Sequence, residues 1–528
     1  MHGFCLQVLT ERGRFVGIEG TPNIFEQVKD RLEVLEKAIE EEPFLIERLS
    51  GIEDAKGRNR QVNNWLSAIS YVKSHPITCV VVEDEETQHV LDAFEAGMRA
   101  CNAYDFDDLL LLTYKLIVDN PKLGDIYRRL YKFICIDEAQ DMNEAQYAVL
   151  TALCSDTHSN VMMVGDPRQS IYGFNRSGPE YMERFGGEFQ AKHVAFTSNF
   201  RSSRAVVDFA QKLDANYMVD QQLPVPGFVR VFKGADEKDE AKQIVDELER
   251  LFKDGHADVE GGVQPGKCAV LGRTRFALLQ IEAKLRERNI AFYKRLSANH
   301  ENESEAVEDF FIALRVLANH KDKLHLAALA KRWNVSELPT SEDFLSNVQS
   351  VATETRCSRA QIVANAILAI NSQERFNLIP AFGLLEKYGD SLDEKERLAI
   401  REDVVVLRQE WDQFLRTATG SKNLSAFISS KALGSTQKSS RAGVALLTVH
   451  SSKGLEFEVV FIAGMAEGTF PDYRSIGAKA EAEERRNAFV AATRSKRLLY
   501  LSYPETRVMP WGGVRSQQGS RFLHGASV

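Results

Sequence analysis

Residues 131–176 read YKFICIDEAQDMNEAQYAVLTALCSDTHSNVMMVGDPRQSIYGFNR, and two short apolar runs in this stretch each end in a polar cluster. Phe133 to Ile136 breaks off into Asp137, Glu138, Ala139, Gln140 and Asp141. Val161 to Val164 breaks off into Gly165, Asp166, Pro167, Arg168 and Gln169. Short apolar runs bounded by turn signals predict fully buried strands of a parallel sheet. In an open parallel sheet, ligands sit off the carboxyl ends of the strands, where both polar clusters fall. A hard cation such as Mg²⁺ takes oxygen ligands and keeps several waters, so one carboxylate can hold it while a second orients an attacking water. Asp137 suits the first task and Glu138 the second. A lone Asp-Glu pair after a strand is more often an ordinary acidic loop. Two strand ends with complementary polar clusters, about 30 residues apart, favour a site.

IDEAQD followed by GDPRQSIYGF resembles motifs II and III of the UvrD/Rep/PcrA-type superfamily-1 DNA helicases. The resemblance implies an α/β fold with two RecA-like core domains, the first incomplete here, and two mainly α-helical insertions. It also implies ATP and Mg²⁺ as cofactors and single-stranded or partly duplex DNA as the partner. Gln169 would sense the γ-phosphate. Tyr172 and Phe174 form an aromatic pair that can stack on unpaired bases, worth about 1–3 kcal/mol per base and blind to sequence. Read without the resemblance, both aromatics fit a core equally well.

The totals fit such a chain. At 528 residues the sequence predicts roughly three or four domains, each with its own core. Hydrophobic content of 44% and charged content of 27% are those of an ordinary soluble globular protein. No apolar stretch is long enough to span a membrane, and MHGFCLQVLTERGRF has neither the basic start nor the long apolar core of a signal peptide. Cys5, Cys79, Cys101, Cys135, Cys154, Cys268 and Cys357 form no CxxC pair and no metal spacing, which predicts reduced thiols in a cytoplasmic protein. A net charge of −9 gives no global nucleic-acid signal, so any strand site must be a local channel.

In chain order, HGFCLQVL at residues 2–9 reads as a helix with a buried face and is similar to motif Ib, which implies strand contacts for His2 and Phe4. Residues 23–100 show helical spacing, with Thr21 or Asn23 as N-cap and a break at Pro76. YDFDDLLLL at 104–112 reads as an acidic first helical turn and also resembles motif Ic. Val194 to Phe196 reads as a strand, with Ser202 or Ser203 capping the next helix. NFRSS is similar to motif IV, which implies that Phe200 stacks on adenine and Arg201 reaches the γ-phosphate.

Residues 228–300 alternate strand and helix patterns, as a second α/β domain does. One decoy lies among them. GGVQPGKC at 261–268 fits GxxxxGK but ends in Cys where Mg²⁺ coordination needs Ser or Thr, and it precedes a strand instead of following one. It is expected to be a surface loop. VLGRTR resembles motif IVa and places Arg273 near a domain junction. Residues 301–435 are mostly helical and carry no chemistry, followed by a polar, basic linker.

VALLTVHSSKGLEFEVVFIAG at 444–464 resembles motif V, which implies that His450, Ser451, Lys453 and Gly454 lie by DNA phosphates and Glu456 by the nucleotide ribose. EAEERRNAFVAATRSKRLLYLSY at 481–503 resembles motif VI, which implies that Arg494 contacts the γ-phosphate. The expected catalytic set is thus Asp137, Glu138, Gln169, Arg201 and Arg494. The nucleotide would lie against Phe200, Arg201, Glu456 and Arg494, with Asp137 holding Mg²⁺ mostly through water.

The expected division is 1–22 with 84–197 as core domain 1A, 23–83 as insertion 1B, 198–300 with 436–528 as core domain 2A, and 301–435 as insertion 2B. The family's Q-motif and phosphate loop precede motif Ib, and the sequence holds no Walker A lysine or Ser/Thr. The expectation is a 3′→5′ helicase fold lacking roughly the first 60–90 residues, with ATP turnover impaired. Alternatives are a non-catalytic strand-binding or scaffold protein, and an enzyme whose phosphate loop comes from a separate chain. A monomer able to self-associate and to meet repair or replication proteins is expected.

Overall fold

The computed structural model describes residues 1–79, 82, 84–154, 160–295, 304–335, 344–354, 356–371, 376–418, 420–434, 443–508 and 513–524. The chain divides into two compact units. One comprises Met1–Phe133, Asn143–Asn160 and Glu301–Ser439, and the other Ile134–Met142, Val161–His300 and Ser440–Val528.

The first unit is helical. His2–Arg12 forms the expected opening helix and buries Cys5, Val8 and Leu9. The next helix runs Val28–Glu40 and is capped at Gln27, not at Thr21 or Asn23. Asn23 instead begins a two-residue parallel pairing with Ala103, and its Nδ2 donates to the Asn102 carbonyl, so the side chain expected to cap is committed elsewhere. Ala55–Ser74 stops just before Pro76, where no amide hydrogen is available to continue it. Phe106–Asp119 opens on a reciprocal capping box between Asp105 and Asp108. One apolar cluster gathers Phe25, Trp65, Phe94 and Met98, and a second gathers Trp333, Phe382, Trp411 and Phe427.

In the second unit, β1 (Ile134–Ile136) and β2 (Val161–Met163) pair in parallel, with Ile134 opposite Val161 and Ile136 opposite Met163. The parallel pairing was expected and the burial was not. Cys135 and Met162 are exposed and their neighbours half-buried, because this sheet has only two strands among the described residues and its face is left uncovered. The strand expected at Val194–Phe196 is displaced to Ser198–Asn199, which pairs with Asp220–Gln221. Val194 and Phe196 find no apolar surface to pack on and stay exposed.

A six-stranded sheet follows, made of β3 (Phe228–Gly234), β4 (Cys268–Gly272), β5 (Phe292–Arg295), β6 (Val444–Thr448), β7 (Phe457–Ala463) and β8 (Ser495–Pro504). Its order is β3-β8-β7-β4-β6-β5 and every pairing is parallel. Side chains alternate across it, save at a register shift between Phe457 and Val459 in β7. Ala269, Leu271, Leu447, Val460, Ile462 and Leu499 join the cluster with helices Arg204–Leu213 and Ala478–Ala492. Cys268, Val270, Leu446, Val459, Phe461 and Leu498 join the cluster with Glu237–Asp254 and Leu279–Glu287. Both faces being covered is why VALLT and FEVVFIA are continuous apolar runs and not alternating ones. The α/β class read from the sequence holds. GGVQPGKC is a loop leading into β4, and Lys267 closes it by donating to the carbonyls of Glu260 and Gly262.

Candidate active site

A cleft of about 510 Å³ opens within the second unit. Its lining includes Gln169 from the turn after β2, Asn199, Phe200 and Arg201 before helix Arg204–Leu213, Glu456 before β7, and Thr493 and Lys496 around the start of β8. Phe200 presents an exposed ring to this space. The turn that carries it is built by Asn199, whose Oδ1 accepts from the backbone N–H of Arg201 and Ser202. Ser203 is the N-cap of the helix, but its hydroxyl donates to the Arg497 carbonyl, and Ser202 donates to that of Ser495. Both serines therefore tie the motif to β8, and Ser203 caps by position without a side-chain bond to the helix N–H groups.

Arg494 is buried and donates to four acceptors, one of them Thr493 Oγ1 at 3.4 Å from Nη2. Nε donates to the Val490 carbonyl at 3.1 Å, Nη1 to that of Leu455 at 3.2 Å, and Nη2 to Gln169 Oε1 at 3.1 Å. Burial and the nearby Arg201 cation lower its pKa to about 10, which still leaves it charged at neutral pH. Gln169 in turn donates to Asp166 Oδ2 at 3.2 Å. Across the cleft, Glu456 bridges Arg201 Nε at 2.8 Å and Lys496 Nζ at 2.5 Å. The Lys496 hydrogen bond, with Arg201 alongside, holds the Glu456 carboxyl below its usual range.

The acidic cluster follows β1. Asp137 and Glu138 are both exposed, and Asp137 Oδ1 accepts the Glu138 N–H at 2.9 Å. Glu138 has φ of 53°, a left-handed conformation that costs a non-glycine residue about 1–2 kcal/mol. Such strain collects at functional positions held by their surroundings. Here the Glu138 carboxylate also accepts from Gln140 Nε2 at 2.6 Å, and Gln140 Oε1 accepts the Asp166 N–H, which joins the two polar clusters. Among the described residues no cluster of three or more His, Cys, Asp or Glu could cage a metal ion. The hard, solvent-facing oxygens of Asp137 and Glu138 suit a largely hydrated Mg²⁺.

Tyr172, His450 and Lys453 also meet in this unit. Tyr172 donates its hydroxyl to the His450 carbonyl at 3.3 Å, and His450 Nε2 lies 3.2 Å from the Ile171 carbonyl. Burial, then the Arg273 cation, lowers the His450 pKa to about 4, so the ring is neutral at physiological pH. Arg273 itself forms a bidentate pair with the buried Glu484. Ser451 bonds Thr448 through both its N–H and its hydroxyl. Lys453 is directed inward, to Asp141 Oδ2 at 2.5 Å and the Gln169 carbonyl at 2.6 Å. Phe174 lies in the turn Gly173–Asn175, and its side chain falls outside the described residues. His2 and Phe4 belong to the first unit, where His2 packs on Phe106 and Phe4 meets Tyr127 and Tyr131 edge-on.

Sequence reading missed Asn199, Tyr217 and Lys496. Asn199 carries a legible signal, since an Asn accepting from N–H groups two and three residues on is a standard turn former. Tyr217, which accepts from Asn199 Nδ2 at 3.1 Å, and Lys496 reach the cleft only through tertiary packing, and nothing local announces them.

Fold and cleft together define a parallel α/β protein in which guanidinium and ammonium groups face a cluster of carboxylates at strand ends. The family model described as the UvrD/REP helicase N-terminal domain matches residues 1–190, and that of the UvrD-like helicase C-terminal domain matches residues 341–506. The ATP-dependent DNA helicase PcrA of Staphylococcus aureus (strain MRSA252) is 24% identical over 573 residues, spanning 99% of this chain and 74% of that relative. The PcrA of Staphylococcus epidermidis is 25% identical over 566 residues with the same coverage. The chain belongs to the UvrD/Rep/PcrA-type helicases.

Proposed function

We propose that the chain is a 3′→5′ DNA helicase or single-strand translocase driven by ATP, and that the 528-residue polypeptide turns ATP over poorly by itself. The reading rests above all on one observation: Gln169, Arg201, Glu456 and Arg494, from four separate stretches of chain, converge on or beside one cleft. A triphosphate entering it would compete with Glu456 for Arg201 and take up hydrogen bonds from Gln169 and Arg494. Fixed cations aimed at charge developing on the γ-phosphate are the main way proteins accelerate phosphoryl transfer. Phe200 offers its exposed face to the base. Asp137 would hold Mg²⁺ through water, and that ion would neutralise phosphate charge. Glu138 would orient the attacking water.

Impairment is proposed because the sequence contains no GxxxxGK[ST], the loop whose amides and lysine cradle the β- and γ-phosphates. The same absence favours the second reading, a strand-binding protein without turnover. Tyr172 with His450, Ser451 and Lys453, and His2 with Phe4, are proposed strand contacts. The four-part division into 1A, 1B, 2A and 2B is carried with this proposal, as are a cytoplasmic location and work beside repair or replication proteins. ATP hydrolysis by the purified chain, with and without oligo-dT, tests it, with Glu138→Gln as the comparison. Slow hydrolysis that DNA stimulates and Glu138→Gln abolishes supports the reading. Strand binding with no turnover favours the second reading, and fast unwinding by this polypeptide overturns the impairment.

A further inference from the structure

Lys453 is held in a way that a lysine awaiting a strand phosphate need not be. Its ammonium donates to Asp141 Oδ2 at 2.5 Å and to the Gln169 carbonyl at 2.6 Å, and it stands 3.7 Å from Glu138 Oε2. It also lies 5.2 Å over the ring of Tyr172, and its side chain is only 6% exposed. A base cannot stack on the ring face that the ammonium covers. Stacking there and the present seat of Lys453 are mutually exclusive. Lysine is a compact point charge on a flexible four-carbon stem, able to exchange one anion for another. Its two neighbours on the short helix Val449–Ser452 bond groups within the same unit, His450 at the Ile171 carbonyl and Ser451 at Thr448, whereas Lys453 is paired with a carboxylate.

We propose that Lys453 is a gated strand contact. Asp141 and the Tyr172 ring sequester its ammonium in the acidic cluster, and a single strand releases it by taking the ring with a base and the ammonium with a phosphate. Release withdraws a cation from beside Glu138 and from the Gln169 carbonyl, so strand arrival is felt at the hydrolytic residues. Asp141 is then a decoy anion that lowers strand affinity in exchange for coupling. This inference rests on the strand-binding reading above.

Fluorescence anisotropy of labelled oligo-dT across a salt series tests the gate without recourse to ATP. Asp141→Asn is expected to tighten binding about fivefold or more at low salt, the lower end of typical coupling between sites. It should also steepen the salt dependence by about 0.7 in log–log slope, the value for one extra phosphate contact on a single strand. Lys453→Ala placed on top of Asp141→Asn should erase both gains, while Lys453→Ala alone should cost less than it does in the Asn background. Affinity and slope unchanged in Asp141→Asn would overturn the gate, as would a gain that survives loss of Lys453. If Asp141→Asn loses its cooperative thermal transition, Asp141→Ser carries the same expectations. A wild-type chain that binds no oligo-dT overturns the strand-binding reading, and the gate with it. Binding without the Asp141 effect overturns the gate alone.

Discussion

Burial sets the charge state of individual side chains, and His450 shows the consequence most simply. Desolvation comes first and the adjacent Arg273 second, and together they lower its pKa from 6.5 to about 4. Folding therefore excludes a proton that the unfolded chain accepts. Above pH 6.5 both states are neutral and the group's stability contribution is fully present; it is lost as pH falls from about 6.5 to about 4, where the folded state protonates too. At about 1.4 kcal/mol per pH unit, the loss is on the order of 2–3 kcal/mol. His450→Gln keeps a neutral hydrogen-bonding side chain and should flatten that part of the curve. Urea midpoints of the two proteins at pH 7 and pH 4.5 measure the difference, and parallel curves would show that the ring is protonated in the fold. His450 and Arg494 could be picked out from their motifs. That one is neutral and the other pinned by four acceptors was not legible, because those properties come largely from Ile171, Arg273, Gln169 and Leu455, all remote in sequence or set by packing.

At the scale of elements, local signals predicted what local chemistry controls. The helix Phe106–Asp119 opens where the acidic turn said it would, with Asp105 accepting the Asp108 N–H at 2.8 Å and Asp108 accepting the Asp105 N–H at 3.0 Å. The sequence did not show that Lys73, almost fully buried, joins this cap at 2.6 Å from Asp108 and 3.4 Å from Asp105. A cap alone is worth about 1 kcal/mol. Removing one partner of a buried ionic cluster costs roughly 3–5 kcal/mol. Asp105→Ala should therefore lose more than an ordinary cap, since Lys73 keeps only Asp108, and the excess should shrink when Asp105→Ala is made on a Lys73→Met background. Equilibrium urea unfolding of the two variants separates the cases; a loss near 1 kcal/mol that Lys73→Met fails to change would reduce Asp105 to a plain cap. The strands divide in the same way. β6 and β7 were readable as strands, and they lie buried because the six-stranded sheet is covered on both faces. β1 and β2 carry equally apolar sequence and lie exposed at their centres and half-buried at their ends, since burial belongs to the neighbours a strand finds and not to the strand itself.

For the whole molecule, the chain passes back and forth between two compact units, and each unit owns its apolar clusters. That arrangement makes stability a property of the units, and a single unfolding free energy ill-defined. Phe461 is fully buried in the second unit and stacks on Tyr500 with ring centroids 4.3 Å apart. Trp411 is buried in the first unit, edge-on to Phe376 at 5.4 Å and to Phe427 at 5.2 Å. Cutting either back to alanine removes a large aromatic from a close-packed core, at about 3–5 kcal/mol. Phe461→Ala should lower one calorimetric transition and leave the other in place, and Trp411→Ala should do the reverse. The cleft lies wholly in the second unit, so a ligand of the cleft should raise the transition that Phe461→Ala lowers. One transition shifted equally by both substitutions would show instead that the units unfold as a single cooperative body, and the cleft's stability would then depend on helices that contribute no residue to it.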